Sequence, residues 1–150
     1  MIDLVLAILH HLGMFALLGV LAFTLASLGP GPGPHLERSR VLRLAQVDRL
    51  YGALSLAMIA IGFTRAILAA KGWDYYSHNG FFWAKMAAFA GVGLLSAPPS
   101  IRFVRWRRAN DAPPAHEARR VRRYLVAQLA LFALIPLFAA AMARGHGQFG

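Results

Sequence analysis

The sequence predicts an all-α integral membrane protein, a bundle of four transmembrane helices with both termini on the outer side of the membrane. Two observations predict this class. Apolar residues make up 58% of the 150 residues and lie in long runs, whereas charged residues make up only 15%. Most of the charge is basic, with 16 Lys and Arg residues against 6 Asp and Glu residues, and it stands between the apolar runs. This is the pattern of a membrane protein rather than of a nucleic-acid-binding domain.

Four apolar segments are long enough to cross a bilayer, because a membrane-spanning helix needs about 20 predominantly apolar residues. These segments cover residues 2–28, 49–70, 81–104 and 124–143. They do not alternate apolar and polar residues as the strands of a membrane β-barrel would. The first segment also differs from a signal peptide, because Asp3 stands where positive charge is expected and the run is too long. We therefore expect one four-helix transmembrane domain over residues 1–150.

The arginines between the spans predict the orientation of the bundle. Segments 29–48 and 105–123 are rich in arginine, whereas segment 71–80 carries only Lys71. Because positively charged loops remain in the cytoplasm, we expect 29–48 and 105–123 to be cytoplasmic. The termini and 71–80 are then periplasmic, and the chain is a multi-pass protein of the cell inner membrane. The arginines are expected to set this topology and to contact lipid headgroups, so the predicted partner is the lipid bilayer and not nucleic acid.

Proline and glycine punctuate the predicted helices. The alternating Gly-Pro stretch 29–34 cannot continue the first helix, because proline lacks the backbone N–H and glycine costs conformational entropy. Pro98 and Pro99 in the third span, and Pro136 in the fourth, are expected to kink or loosen those helices.

Function is expected where ionisable side chains enter the apolar spans, because such residues are costly at membrane depth. Four side chains meet this condition, namely His10, His11, Arg65 and Lys85. Their positions along the helices place them at similar depth in the outer half of the membrane, where the spans carry no carboxylate. Because unpaired buried cations repel each other, we expect water, a lipid phosphate or an anionic ligand to neutralise them.

Heme b is one ligand that fits several of these features at once. His10 or His11 would bind the iron, which makes them the candidate metal ligands. Arg65 and Lys85 would hold the propionates, or would polarise a porphyrin-like or quinone-like substrate, which makes them the candidate catalytic residues. Adjacent histidines point about 100° apart on a helix. They cannot both bind one iron, so a single-histidine site is expected.

Several segments are distinctive as strings. They are the paired His10-His11, the sequence FFWAKM at 81–86 and the sequence SAPP at 96–99. Together they resemble a bacterial family of four-helix membrane proteins, domain of unknown function 2214. The resemblance covers nearly the whole chain and implies the fold, but little mechanism.

A more distant similarity is to HemJ-type protoporphyrinogen oxidases and to the membrane part of CopD copper-resistance proteins. It depends on a first-helix histidine, a Gly-rich turn after the second helix and a third helix that opens Trp–x–Lys. In the HemJ family the histidine and the lysine are functionally important and heme b is bound, which implies His10 or His11 and Lys85 here. Copper transport is not expected, because the five methionines are scattered along the chain and cysteine is absent.

The leading interpretation is a heme-b-binding redox protein of the inner membrane, a membrane oxidoreductase of HemJ/CopD-like architecture. One alternative is a non-enzymatic accessory or structural subunit, or a homodimeric scaffold. Its helix contacts would use small residues, namely Gly52, Ala57, Ala60, Gly91 and Gly93. The other alternative is an oligomeric anion transporter or channel that attracts its substrate with Arg65 and Lys85.

Overall fold

A computed structural model of the protein describes residues 1–29, 36–68, 72–109 and 113–149. The described residues form five helices: α1 (Ile2–Ser27), α2 (Arg38–Leu68), α3 (Gly72–Ser77), α4 (Gly80–Arg108) and α5 (Ala115–Ala143). The four long helices, α1, α2, α4 and α5, are each long and apolar enough to cross a membrane. The predicted all-α class with four membrane-spanning helices is therefore confirmed.

Three of the long helices extend past the apolar segments that predicted them. α2 begins at Arg38 rather than at residue 49, α5 begins at Ala115 rather than at residue 124, and α4 continues to Arg108. The additional turns are rich in arginine, which is a good helix former, so the helix does not stop where the apolar run stops. Apolar length thus marks the membrane crossing, and the helix ends lie beyond it.

Two predicted features fall outside the described residues. Most of the Gly-Pro stretch lies in residues 30–35, and Lys71 lies in residues 69–71. The segment predicted as the loop 71–80 contains a short helix, α3, with Trp73, Tyr75 and Tyr76. Tryptophan and tyrosine suit a membrane–water interface, because one part of each ring is apolar and the other polar.

The prolines predicted to loosen two helices lie inside helices that continue on both sides of them. Proline has no backbone N–H, so the carbonyl one turn earlier loses its helical hydrogen-bond partner. Immediately after Pro99, the hydroxyl of Ser100 donates a hydrogen bond to the Asp48 carboxylate, at 2.8 Å. A polar contact between α4 and α2 therefore stands beside the proline pair.

Helices that follow each other in the chain pack side by side in the bundle. α1 packs on α2, α4 packs on α5, and both pairs meet through α2–α4 and α1–α5 contacts. Within the described residues α1 and α4 share no contact, so they lie diagonally across the bundle. Side chains from all four long helices therefore face the same interior.

The bundle core is tightest at one end. Several of its largest fully buried side chains come from the parts of α2, α4 and α5 that are rich in arginine, namely Val41, Leu44, Phe103 and Val121. Burial of such side chains is the main source of stability where water is excluded, together with close packing. The opposite half of the bundle contains the cavities described below.

Two arginines tie helices together at this tightly packed end, which we call the arginine end (residues 36–44, 102–109 and 113–123). Arg38 donates hydrogen bonds to three backbone carbonyls at the end of α4, those of Trp106, Arg107 and Ala109. Arg122 of α5 donates to the carbonyl of Gly29, just past the end of α1, at 2.8 Å. Both guanidinium groups satisfy carbonyl groups that a helix end leaves without a helical partner.

The opposite end, which we call the tail end (residues 72–79 and 144–149), is closed by α3 and the C-terminal segment. Asn79 is fully buried between them. Its side-chain oxygen accepts hydrogen bonds from the backbone N–H groups of Phe81 and Phe82, which caps α4. Its amide group donates to the carbonyl of His146 at 3.0 Å. One side chain therefore starts a helix and holds the tail.

Backbone contacts continue this attachment of the C-terminal segment. The N–H of Gly80 donates to the carbonyl of Gly147 at 2.8 Å, and the N–H of Phe149 donates to the carbonyl of His78 at 3.1 Å. Gly147 has a φ of 82°, and a Cβ atom there would lie 2.6 Å from the ring of Phe81. Only glycine satisfies both conditions, because other residues rarely adopt this backbone conformation.

We expect Asn79→Ala to lower the stability of the folded protein by about 2 kcal/mol, because it removes a helix cap and a buried hydrogen bond to the tail. Asn79→Ser is the matched variant, since its hydroxyl keeps an uncharged capping oxygen and loses the amide donor to His146. It should lose less stability than Asn79→Ala, while both should expose the tail to proteolysis. Thermal unfolding in detergent and limited proteolysis measure the two effects. Equal melting temperatures for wild type and Asn79→Ala would contradict the assignment.

Candidate functional site

Three of the four predicted site residues meet in one cavity in the half of the bundle near the tail end. His10 of α1, Arg65 of α2 and Lys85 of α4 all line this cavity, which has a volume of about 140 Å³. α1 and α4 lie diagonally, so His10 and Lys85 reach the cavity from opposite helices. The cavity is otherwise lined mainly by apolar and aromatic side chains. We call His10, Arg65 and Lys85 the cationic cluster.

Helical spacing explains how each helix contributes to the cavity. Residues three or four positions apart share one face of a helix. On α2 this face carries Met58, Gly62 and Arg65, and on α1 it carries His10 and Met14. A Cβ atom at Gly62 would lie 3.7 Å from Cε1 of His10, so the imidazole ring rests against the glycine. A larger side chain at this position would displace the ring.

Two buried polar atoms of the cationic cluster have no hydrogen-bond partner among the described residues. They are Nδ1 of His10 and Nε of Arg65. Most buried polar groups in proteins are hydrogen-bonded, because leaving one without a partner costs about 1–3 kcal/mol. Unpartnered atoms at a cavity wall therefore indicate a place where water or a bound molecule would supply the missing partner.

No carboxylate neutralises the cationic cluster within the described part of the chain. The one ion pair between described residues is His78 with Asp74, at the tail end and exposed. Lys85 instead has its Nζ atom 5.3 Å from the centre of the Phe82 ring. An aromatic face attracts a cation, but it does not cancel its charge. The cluster is therefore suited to an anionic partner.

The paired histidines have different surroundings. His10 is half-buried and faces the cavity, whereas His11 is exposed. Nδ1 of His11 lies 2.7 Å from the carbonyl oxygen of Ala7, one turn earlier in the same helix, and donates to it in the matching tautomer. The two rings meet edge to face, with 6.3 Å between their centres. Of the two histidines, His10 is thus the one with a buried ring nitrogen that has no partner among the described residues.

A second and larger cavity adjoins the first between α1 and α5. We call it the α1–α5 cleft; its volume is about 1070 Å³. The cationic cluster forms part of its wall, together with His11. Most of the remaining wall comes from apolar residues of α1 and α5, including Phe15, Leu18, Phe132, Ala133 and Pro136. The cleft therefore joins a charged inner end to apolar sides.

The tail end closes the site on one side. Tyr75 and Tyr76 of α3, with Met142 of α5, line the α1–α5 cleft there. The hydroxyl of Tyr75 donates to the carbonyl of Met142 at 3.4 Å, and its own carbonyl accepts from Gln148 at 3.4 Å. The small helix and the tail thus form a cap over the cationic cluster.

Four methionines also line the smaller cavity, and the sequence did not indicate that they would meet. They are Met14, Met58, Met86 and Met142, one from each long helix. These positions are scattered along the chain, and only helix packing brings them together. The one signal in the sequence was that Met14 stands one turn after His10. Methionine side chains are flexible and polarisable, so they suit an adaptable apolar wall.

Among the described residues no group of three or more His, Asp or Glu side chains could hold a metal ion by itself. A metal bound through protein side chains alone would need other ligands. One histidine with nearby thioethers is, in contrast, a donor set that suits a metal already held in an organic ring, and the neighbouring cations suit acidic groups on such a ring.

Comparison with known families agrees with the fold. A family model described as "Predicted membrane protein", domain of unknown function 2214, matches residues 2–147. No curated protein and no solved structure is detectably similar to the chain. The distant similarity to HemJ and CopD proteins therefore remains an expectation. Because the family model spans all four membrane-spanning helices and the whole cationic cluster, the chain belongs to the family of membrane proteins named domain of unknown function 2214.

Proposed function

We propose that the protein is a membrane oxidoreductase that binds heme b at the cationic cluster. The observation that carries this proposal is the unpartnered imidazole nitrogen of His10 beside two cations that no described carboxylate neutralises. Heme b needs an axial ligand for its iron and positive charge for its two propionates, and its ring is otherwise apolar. The site offers each of these.

Of the two cavities, only the α1–α5 cleft has room for heme b. Ligand pockets for drug-sized molecules have volumes of roughly 300–1,000 Å³. The inner cavity, at about 140 Å³, is too small for a macrocycle, whereas the α1–α5 cleft, at about 1070 Å³, is large enough. We therefore infer that the ring would occupy the cleft, with its carboxylate edge toward Arg65 and Lys85.

Each residue of the site has a distinct role in this proposal. His10 would bind the iron, and the thioethers of Met14 and Met142, which line the same cleft, are chemically suited as further ligands. When bound, the heme would supply one-electron chemistry. Arg65 and Lys85 would hold the carboxylates and, as fixed positive charges, would favour the reduced state. Tyr75 and Tyr76, which belong to the cap at the tail end, would limit the access of water from that side.

The apolar cleft favours this function over transport of a small anion. Arg65 and Lys85 would attract heme b or a small anion, but a small hydrated anion makes no favourable contact with apolar walls. A quinone-like electron partner and a homodimer remain predictions of the sequence.

We expect purified protein in detergent to show a Soret band that sharpens and shifts on reduction with dithionite. His10→Ala should abolish this band, because it removes the axial nitrogen. His11→Ala is the matched control and should retain the band, because His11 is exposed and lines only the cleft, whereas His10 is half-buried and lines both cavities. Visible spectra of the three proteins, oxidised and reduced, make the comparison.

Reconstitution with hemin extends this test to the cations. Arg65→Gln should weaken hemin binding about tenfold or more, because an unpaired propionate would then lie in an apolar site. A wild-type protein whose spectrum stays featureless after hemin addition would overturn the heme proposal. Loss of the band in His11→Ala but not in His10→Ala would transfer the ligand role to His11.

We also propose that the arginine end faces the cytoplasm of a cell with an inner membrane and that the tail end faces the periplasm. Two features support this orientation. Exposed arginines such as Arg40, Arg43, Arg119 and Arg120 collect at one end, as positively charged loops do on the cytoplasmic side. The other end carries the aromatic helix α3 instead.

Single-cysteine variants test this orientation, because the sequence contains no cysteine of its own. Asp74→Cys at the tail end should react with a membrane-impermeant maleimide in intact cells, since the side chain of Asp74 is 96% exposed. Ser39→Cys at the arginine end should react only after permeabilisation. The reverse labelling pattern would show the opposite orientation.

A further inference from the structure

The α1–α5 cleft lies between two long helices, and part of its α1 wall is exposed on the side of the bundle. Two residues on its α1 wall are well exposed, Phe15 at 71% and Leu18 at 38%. Both lie within the membrane-spanning part of α1, so this part of the wall faces lipid. The cap of α3 and the C-terminal segment closes the tail-end side. A ligand therefore reaches the cationic cluster most directly from within the bilayer.

Many of the residues that α5 contributes to the cleft wall are small. Ala133, Ala139, Ala140 and Ala143 line the cleft with Pro136, beside larger apolar residues of the same helix such as Leu129, Phe132 and Ile135. Proteins otherwise pack their interiors to the density of organic crystals. An apolar cleft of this size, ending at two cations, is shaped for a molecule with a long apolar body and one acidic end.

Charge decides which occupant fits the cleft. A transmembrane helix of a partner would cover the apolar walls, but it would leave Arg65 and Lys85 without a counter-charge. A hydrated inorganic anion would meet the cations, but it would leave the walls bare. An acidic amphiphile satisfies both requirements, because its carboxylate pairs with the cations while its chain covers apolar surface.

We propose that the α1–α5 cleft binds a long-chain carboxylic acid taken up from the bilayer, with the carboxylate against Arg65 and Lys85 and the chain between α1 and α5. This inference shares the cationic cluster with the proposed heme function, and it concerns the class of molecule that the cleft admits and the side from which it arrives. Heme b is also an acidic amphiphile, so the two ligands compete for the cleft.

The experiment uses the full-length protein in phosphatidylcholine nanodiscs and a spin-labelled stearic acid as the probe. Electron paramagnetic resonance separates bound from lipid-dissolved probe. The wild type should bind the acid, and the methyl ester of the same probe should bind about tenfold more weakly or worse, because it has no charge to pair with the cations. Lys85→Gln should weaken binding of the acid to a similar degree.

Two tryptophan variants test the cleft itself. Ala133→Trp fills the cleft and should weaken binding of the acid about tenfold, because the indole ring would occupy the space that the chain of the acid needs. Ala127→Trp is the matched control, because Ala127 is exposed on α5 and lines neither cavity, and it should leave binding within about twofold of wild type. Ala140→Trp is a second cleft-filling variant in case Ala133→Trp does not fold. Thermal unfolding establishes that each variant is folded.

The outcomes separate this inference from the heme proposal. Binding of the acid without binding of hemin supports the cleft assignment and overturns the heme function. Binding of hemin with no binding of the acid, or with equal binding of acid and ester, overturns the present inference alone. An Ala133→Trp and an Ala140→Trp that bind the acid like wild type also overturn it. If neither probe binds, both proposals fall.

Discussion

Arg65 and Lys85 enter the apolar half of the bundle next to the imidazole of His10, and no described carboxylate accompanies them. Removing such groups from water is costly, and their mutual repulsion adds to that cost. The surrounding structure reflects this constraint. An aromatic ring lies beside Lys85, polar atoms of His10 and Arg65 remain without partners, and the helices leave space where a counter-charge can bind.

The two halves of the bundle have different roles, because the arginine end stabilises the fold and the other half contains the cavities. At the arginine end, buried apolar side chains pack closely and the guanidinium groups of Arg38 and Arg122 bind carbonyls at helix ends. This end holds the four helices together. The other half of the bundle can therefore contain a cavity and a cleft, where the side chains pack less closely. Asn79 and the C-terminal segment cover this half at the tail end. A rigid end and an open half in one small bundle provide a stable frame for a ligand site.

The position of the cleft beside lipid-facing residues bears on which class of ligand it can bind. A site that opens to an aqueous face selects water-soluble molecules, whereas this one has apolar walls and exposed Phe15 beside its mouth. Arg65 and Lys85 in its wall also favour ligands that carry acidic groups. Heme b and long-chain carboxylic acids share these properties, and they differ in what they require of His10. The histidine therefore distinguishes a redox site from a lipid site in the same cleft.

The sequence by itself determined the fold class, because runs of about 20 apolar residues separated by arginines leave little choice other than membrane-spanning helices. It also singled out His10, His11, Arg65 and Lys85, because ionisable groups are conspicuous within apolar runs. Only the tertiary structure decided which histidine faces the cavity, that four methionines from four helices meet there, and that α1 and α5 separate into a cleft. The dual contacts of Asn79 likewise depend on a tail that lies far from it in the chain. These features follow from how helices rotate and pack against one another, and neither apolar length nor charge in a single segment specifies that rotation.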